Sequence, residues 1–248
     1  MKNLFRLLLF PLAFIRLLLV LMVSFFFLFI VYIEYRISLR TGKYHFWSMR
    51  NWGKIVCWIL GIKVEHNAPP TGGKYIIMPN HTSYLDILLI AAYSPSAFVA
   101  KAELKSWPIL GQTLKAGHII TVNRKELSSL LNTMKRIRES VEGGMPVTVF
   151  PEGTTSKGPE LLPFKNGSFK IAADLKVDIV PCAIVYHDKG DVWIGDDTFI
   201  AHFFRQMWQP VKKVKLFYGT PLQSEDYLQL KTATRKSIEQ LLELTPKN

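Results

Sequence analysis

Leu17 to Ile33 is a run of seventeen residues without a charge, and its apolar character reaches back past Arg16 and Pro11 to Leu4. A helix that spans a bilayer needs about 20 apolar residues, with about 17 as the lower limit. Lengthening this run takes in Arg16 or Glu34, whose charged ends would then have to snorkel to the interface. The run is bulky from Phe25 to Ile33 and ends in Glu34-Tyr35-Arg36. A signal peptide closes on small residues, so a retained segment is expected. A second stretch, Tyr44 to Ile62, sets Phe46, Trp47, Trp52, Trp58 and Leu60 among Lys43, Arg50 and Lys54. Tryptophans mixed with basic residues suit an interfacial helix. Two arrangements fit: a helical hairpin dipping into one leaflet, or a spanning helix followed by a surface helix.

Asn67-Ala-Pro-Pro-Thr-Gly-Gly73 is dense in turn formers and reads as a linker. Beyond it, short apolar runs alternate with helical periodicity. Strands are expected at Tyr75–Met78, Ala97–Ala100, His118–Val122, Pro146–Phe150 and Asp178–Tyr186, with a weaker one at Val192–Ile194. Leu85–Ala92 reads as a helix, and Phe169–Leu175 as a short one. Leu127, Leu130, Leu131, Met134, Ile137 and Val141 recur at helical spacing and predict an amphipathic helix. In Val211–Tyr218, Val214, Leu216 and Tyr218 alternate with Lys213 and Lys215, a half-buried strand with a basic face. Ser224-Glu225-Asp226 opens a final helix with acids in its first turn. This order predicts an α/β fold, a mixed central sheet covered by helices, behind a membrane-associated helical segment. The expected division is residues 1–63 as membrane-anchoring helices and 64–248 as the globular domain.

Charge sharpens the lipid reading. The chain carries a formal net charge of +12, and residues 1–63 hold nine Lys/Arg against one acid, Glu34. A basic excess suits nucleic acid or anionic lipid. Here it flanks the most apolar stretch and no nucleic-acid module is recognisable, so a phospholipid membrane is the expected partner and nucleic acid is not. Basic residues are balanced on the two sides of Leu17–Ile33, which leaves orientation open. Cys57 and Cys182 lack metal or redox spacing and read as reduced core thiols on a cytosolic side.

Chemistry concentrates in two places. Asn80-His81-Thr82-Ser83-Tyr84-Leu85-Asp86 follows one expected strand and opens a helix. Histidine accepts a proton near neutral pH, and a carboxylate that orients it makes it a better base. Five positions separate His81 from Asp86, which lets the carboxylate reach back over the helix start. A helix cap followed by an acid in the first turn would look the same. Ser83 lacks the flanking glycines of a nucleophile elbow. Phe150-Pro151-Glu152-Gly153-Thr154-Thr155-Ser156 follows a second expected strand. It forms a tight turn whose N–H and O–H groups suit a phosphate or a carbonyl oxygen.

Taken together, Asn-His-x4-Asp and Phe-Pro-Glu-Gly-Thr resemble the glycerolipid acyltransferase family that includes 1-acylglycerol-3-phosphate acyltransferases. The resemblance covers roughly Lys74 to Tyr186. Weaker likenesses lie in Gly117-His-Ile-Ile-Thr-Val-Asn-Arg124 and in Val180-Pro181. It implies a glycerol-3-phosphate acyltransferase-like fold at the cytosolic face of the inner membrane. It also implies acyl transfer from acyl-CoA or acyl carrier protein to the free hydroxyl of a lysolipid, without metal or cofactor. Residue by residue, it implies His81 as general base, Asp86 as its partner, and Glu152, Gly153 and Thr154 in the acceptor-binding turn. Arg124 and Lys101 would face an acceptor phosphate. Many family members that use lysophosphatidate have arginine where this chain has Thr155. Bacterial relatives acting on lyso-ornithine lipid resemble it here, including in Pro163-Phe164-Lys165. The acceptor is therefore open between these lysolipids, and a membrane-surface binding protein without chemistry is the rival of another class.

Overall fold

The structure is a computed structural model that describes residues 2–36, 43–71, 73–102, 119–123, 126–158, 160–193 and 198–244. Seven strands form one sheet in the order β1-β7-β6-β2-β5-β3-β4. They are β1 (Ile62–His66), β2 (Tyr75–Pro79), β3 (Ala97–Lys101), β4 (Ile120–Val122), β5 (Val147–Thr148), β6 (Asp178–Tyr186) and β7 (Lys212–Tyr218). Neighbours run parallel except β6 and β7, so the sheet is mixed, as expected.

The period-two alternation of strands builds both faces. Ile77, Val180, Cys182, Ile184 and Leu216 point into one core, with α3 (Leu85–Tyr93) and Val56, Cys57 and Leu60 from the preceding segment. Ile76, Met78, Val147 and Ile179 point into the other. That core is closed by α4 (Leu127–Glu142), α5 (Gly167–Leu175) and α7 (Tyr227–Leu244). In α4 only the second half of the apolar stripe is covered. Ile137 and Val141 are buried, whereas Leu127 and Leu131 are exposed.

The N-terminal residues form α1 (Lys2–Arg36) and α2 (Lys43–Ile59). Within α1, Pro11–Glu34 is long and apolar enough to cross a membrane, and only 11% of its most apolar window is buried. A core helix would be covered. Phe14, Leu18, Met22, Phe25, Phe26 and Phe29 of α1 are exposed, as are Trp47 and Trp58 of α2. The inner sides are fastened. Trp52 Nε1 donates to Ser24 Oγ at 3.1 Å, and the Phe27 ring meets Trp47. Arg16 does not snorkel as the sequence suggested. It is buried and donates to the carbonyls of Met207, Gln209 and Pro210, closing the C-terminal end of α6 (Phe199–Trp208). A guanidinium there satisfies carbonyls that the helix leaves without partners.

α2 crosses α3 at Gly53, where an added Cβ would lie 2.7 Å from the Ala92 amide nitrogen. Glycine to alanine inside a helix ordinarily gains about 1 kcal/mol. Here the contact is backbone, so the helices must part. Gly53→Ala is expected to lose about 1–2 kcal/mol net, read as a lower midpoint in chemical denaturation. An equal or higher midpoint would show that the crossing tolerates separation.

Two elements escaped the sequence reading, β1 and α6. β1 runs through the expected boundary at 63/64 and pairs with β7 at the sheet edge. The strand expected at Val192–Ile194 does not form over its described part. Val192 and Trp193 follow a short 3-10 turn, and the Trp193 amide donates to Thr82 O at 2.9 Å. Ile194 and His118 lie outside the described residues.

Candidate active site

β2 and β5 are parallel neighbours in the middle of the sheet, so their C-terminal ends open on the same edge. Crevices at this edge are where open α/β sheets hold ligands. The two motifs leave from these two ends. Asn80 extends β2 by one step. Its side chain exchanges two hydrogen bonds with the Ile184 backbone, at 3.0 and 2.7 Å, and substitutes for a ladder pair that the turning main chain gives up.

Asp86 sits in the first turn of α3 and is 0% exposed. Its Oδ2 accepts from His81 Nδ1 at 2.9 Å, from Thr82 N at 2.8 Å and from Ser83 N at 3.0 Å. Its Oδ1 accepts from Tyr186 Oη at 2.6 Å. The carboxylate therefore ties down the turn that leads into α3 and fixes the imidazole. The helix cap that the sequence left open for His81 is not formed, since the N-cap is Tyr84 and no side chain caps it. With the proton of the neutral ring held on Nδ1 by Asp86, the lone pair lies on Nε2. Nε2 makes no hydrogen bond among the described residues, and the His81 side chain is 16% exposed. The ring stacks on Phe150, centroids 3.9 Å apart at 22°.

The second motif clamps the first. Glu152 is 2% exposed, with Oε1 accepting from His81 N at 2.9 Å and Oε2 from Leu162 N at 2.8 Å. Gly153 has φ +76°, a left-handed turn that sends the chain back beside β2. There the Ser156 amide donates to His81 O at 2.8 Å. The His81 backbone is thus held from both sides by the same turn. This accounts physically for the two motifs occurring together. Thr154 is exposed at the tip and Thr155 half-buried. Lys165 passes Gly153, its Cγ 3.7 Å from where a Cβ would stand.

Glu152 was expected to meet the acceptor, yet both its oxygens are occupied by backbone N–H groups. Glu152→Gln must turn its NH2 towards one of those donors and leave it unpaired. The expected cost is about 1–3 kcal/mol of stability, with lower turnover through a displaced His81. Melting and turnover measured on the same preparation test this, and an unchanged melting midpoint counts against the clamp.

Lys101 ends β3, and its side chain lies outside what is described; Arg124 lies outside the described residues. No cluster of three or more His, Cys, Asp or Glu suited to a metal ion occurs among the described residues. Asn80, Phe150, Ser156 and Tyr186 belong to the site by contact, although the sequence reading did not assign them to it. Phe150, Ser156 and Asn80 lie inside the motifs and were findable there. Tyr186 carried no signal beyond its place at the end of a strand.

A family model described as Acyltransferase matches residues 61–185, half of the chain. The chain belongs to the Acyltransferase family. A 1-acyl-sn-glycerol-3-phosphate acyltransferase of Neisseria gonorrhoeae is 34% identical over 137 residues, 55% of this chain and 54% of its own length. The chain thus spans about half the length of that acyltransferase and of its Neisseria meningitidis counterpart, where the share is 51%. A lyso-ornithine lipid O-acyltransferase of Rhizobium meliloti is 27% identical over 79% of this chain and 72% of its own. In fold, the chain is similar to the crystal structure of the 1-acyl-sn-glycerophosphate (LPA) acyltransferase of Thermotoga maritima. The TM-score is 0.72 at 23% identity, over 98% of this chain and 97% of that one. That likeness establishes the acyltransferase architecture expected from the sequence, with its N-terminal apolar helix.

Proposed function

We propose that this acyltransferase moves a fatty acyl group from a thioester, acyl-CoA or acyl carrier protein, to the free hydroxyl of a lysolipid. Lysophosphatidate giving phosphatidate is the first reading. The observation that carries it is the His81 Nδ1–Asp86 Oδ2 hydrogen bond, which leaves Nε2 as the base.

His81 Nε2 takes the proton of the acceptor hydroxyl as the oxygen attacks the thioester carbonyl. The tetrahedral oxyanion then collapses, the C–S bond breaks, and the thiolate recovers the proton from the imidazolium. Ester and free thiol are the products. Asp86 steadies the imidazolium in between. Gly153 and Thr154 shape the acceptor side, Glu152 holds the His81 backbone, and Lys101 and Arg124 are assigned to the acceptor phosphate.

The membrane anchor expected in residues 1–63 is carried by α1 and α2, and β1, which crosses that boundary, joins 64–248 in the acyltransferase domain. The exposed apolar face of α1 and the outward Trp47 and Trp58 support this, since lipid is the environment that accepts them. The site faces the cytosol, where thioester donors are found, at the inner membrane.

A second acceptor, lyso-ornithine lipid, is favoured by two observations. The Rhizobium meliloti relative aligns with 79% of this chain, and Thr155 lacks the guanidinium that would grip a phosphomonoester. The test offers the purified full chain a panel of lysolipids, with labelled acyl-CoA and acyl carrier protein in separate arms, and identifies products by mass spectrometry. Acylated lysophosphatidate supports the first reading and acylated lyso-ornithine lipid the second. Thioester consumption that does not depend on any lysolipid removes both and leaves a thioester hydrolase, and no consumption at all leaves a lipid-binding protein.

A further inference from the structure

Tyr186 closes β6 on the face shared with Cys182 and Ile184 and is buried. Its Oη donates to Asp86 Oδ1 at 2.6 Å, from a position 100 residues along the chain. The three other donors to Asp86 converge on Oδ2. Without the phenol, Oδ1 would have no donor among the described residues, in an interior that excludes water. A buried carboxylate left in that state either rotates to share its remaining donors or takes up a proton. Rotation spoils the bond to His81, and protonation removes the charge that supports the imidazolium.

We infer that Tyr186 is a positioning residue of the dyad, whose O–H occupies Asp86 Oδ1 and keeps Oδ2 aimed at His81 Nδ1. The inference rests on the reading of His81 as the base. Tyr186 is buried and acts through Asp86.

The surrounding ionisable groups leave this role to Tyr186. Burial, then the Asp86 charge, pushes the Tyr186 phenol well above its ordinary range, so it stays a donor. Burial likewise holds the Cys182 thiol well up and pushes Cys57 up to about 12. Asp191, raised to about 6 mainly by burial, acts on Tyr186 through its charge. Glu152 reaches His81 only through the backbone amide.

The sign of the pH effect follows. Neutral His81 beside a bare carboxylate leans on the phenol more than the form in which imidazolium already offsets the charge. Removing the O–H therefore raises the pH at which the dyad gives up its proton.

The test is Tyr186→Phe in the full chain, assayed for kcat, KM and pH profile, with His81→Ala and Asp86→Asn alongside. Expected are a kcat lower by about tenfold, the factor of one charge-assisted hydrogen bond at the weak end of its range, and an unchanged KM. The acid limb should move to higher pH, and Tyr186→Phe should cost less in the Asp86→Asn background, where no carboxylate charge is left to support. A parental kcat and profile beside an inactive His81→Ala overturns this inference alone, as does an equal loss in both backgrounds. An active His81→Ala overturns the base assignment, and this inference with it. If Tyr186→Phe does not fold, 3-fluorotyrosine at position 186 keeps the ring and strengthens the donor. The acid limb should then move to lower pH, and a limb that stays in place overturns the inference.

Discussion

Alanine at position 81 is expected to cut acyl transfer by about 10²–10⁴-fold while leaving the fold in place, because the base is lost and little else is. The His81 backbone keeps the bonds to Glu152 and from Ser156, which do not involve its side chain. Asp86 keeps the Thr82 and Ser83 amides and the Tyr186 phenol. The partly exposed ring leaves only a shallow gap beside Phe150. Melting should therefore stay close to the parent while product formation from lysolipid and thioester disappears. A purified His81→Ala protein with near-parental turnover would sink the base assignment.

Asp86→Asn is expected to lose a comparable factor for a different reason. The amide is nearly isosteric, and one orientation keeps most contacts. Its oxygen can accept from His81, Thr82 and Ser83 while its NH2 points to Tyr186 Oη, which is able to accept. What goes is the negative charge that steadies the imidazolium, in a site where burial makes each charge count. Turnover should fall by about 10²–10⁴-fold, with a loss of stability smaller than alanine would cause at the same buried position. Glu152→Gln gives the contrast. Both Glu152 oxygens face N–H donors, so neither orientation of the amide fits, and stability falls along with activity. Turnover that survives Asp86→Asn would leave this carboxylate only the role of holding the Thr82–Ser83 turn before α3.

Much of the site was legible because its chemistry is local. His81 and Asp86 lie five positions apart across a strand-to-helix turn, and one turn of geometry brings them together. The strands β2, β3 and β6 and the helices α3, α4, α5 and α7 followed from runs and periods of side chains that face one way. α6 did not, because Phe199 to Trp208 is apolar but interrupted by His202, Arg205 and Gln206, whose roles depend on neighbours. Arg16 misled for a similar reason. A cation beside an apolar run reads as a snorkelling side chain, whereas its carbonyl partners lie more than 190 positions away.

The sequence by itself determined the alternation of strands and helices, the apolar N-terminal segment, the two motifs and the turn that Gly153 requires. Each depends on residues within a few positions of one another. Only the tertiary structure decided that Glu152 faces the His81 amide instead of open space, that Asn80 continues the β2–β6 ladder, and that Tyr186 completes the shell of Asp86. Those partners are set by strand order and register. Pro79 lies beside Cys182 and Ile77 beside Thr148, and such pairings are fixed by the packing of both sheet faces together rather than by any short stretch of chain.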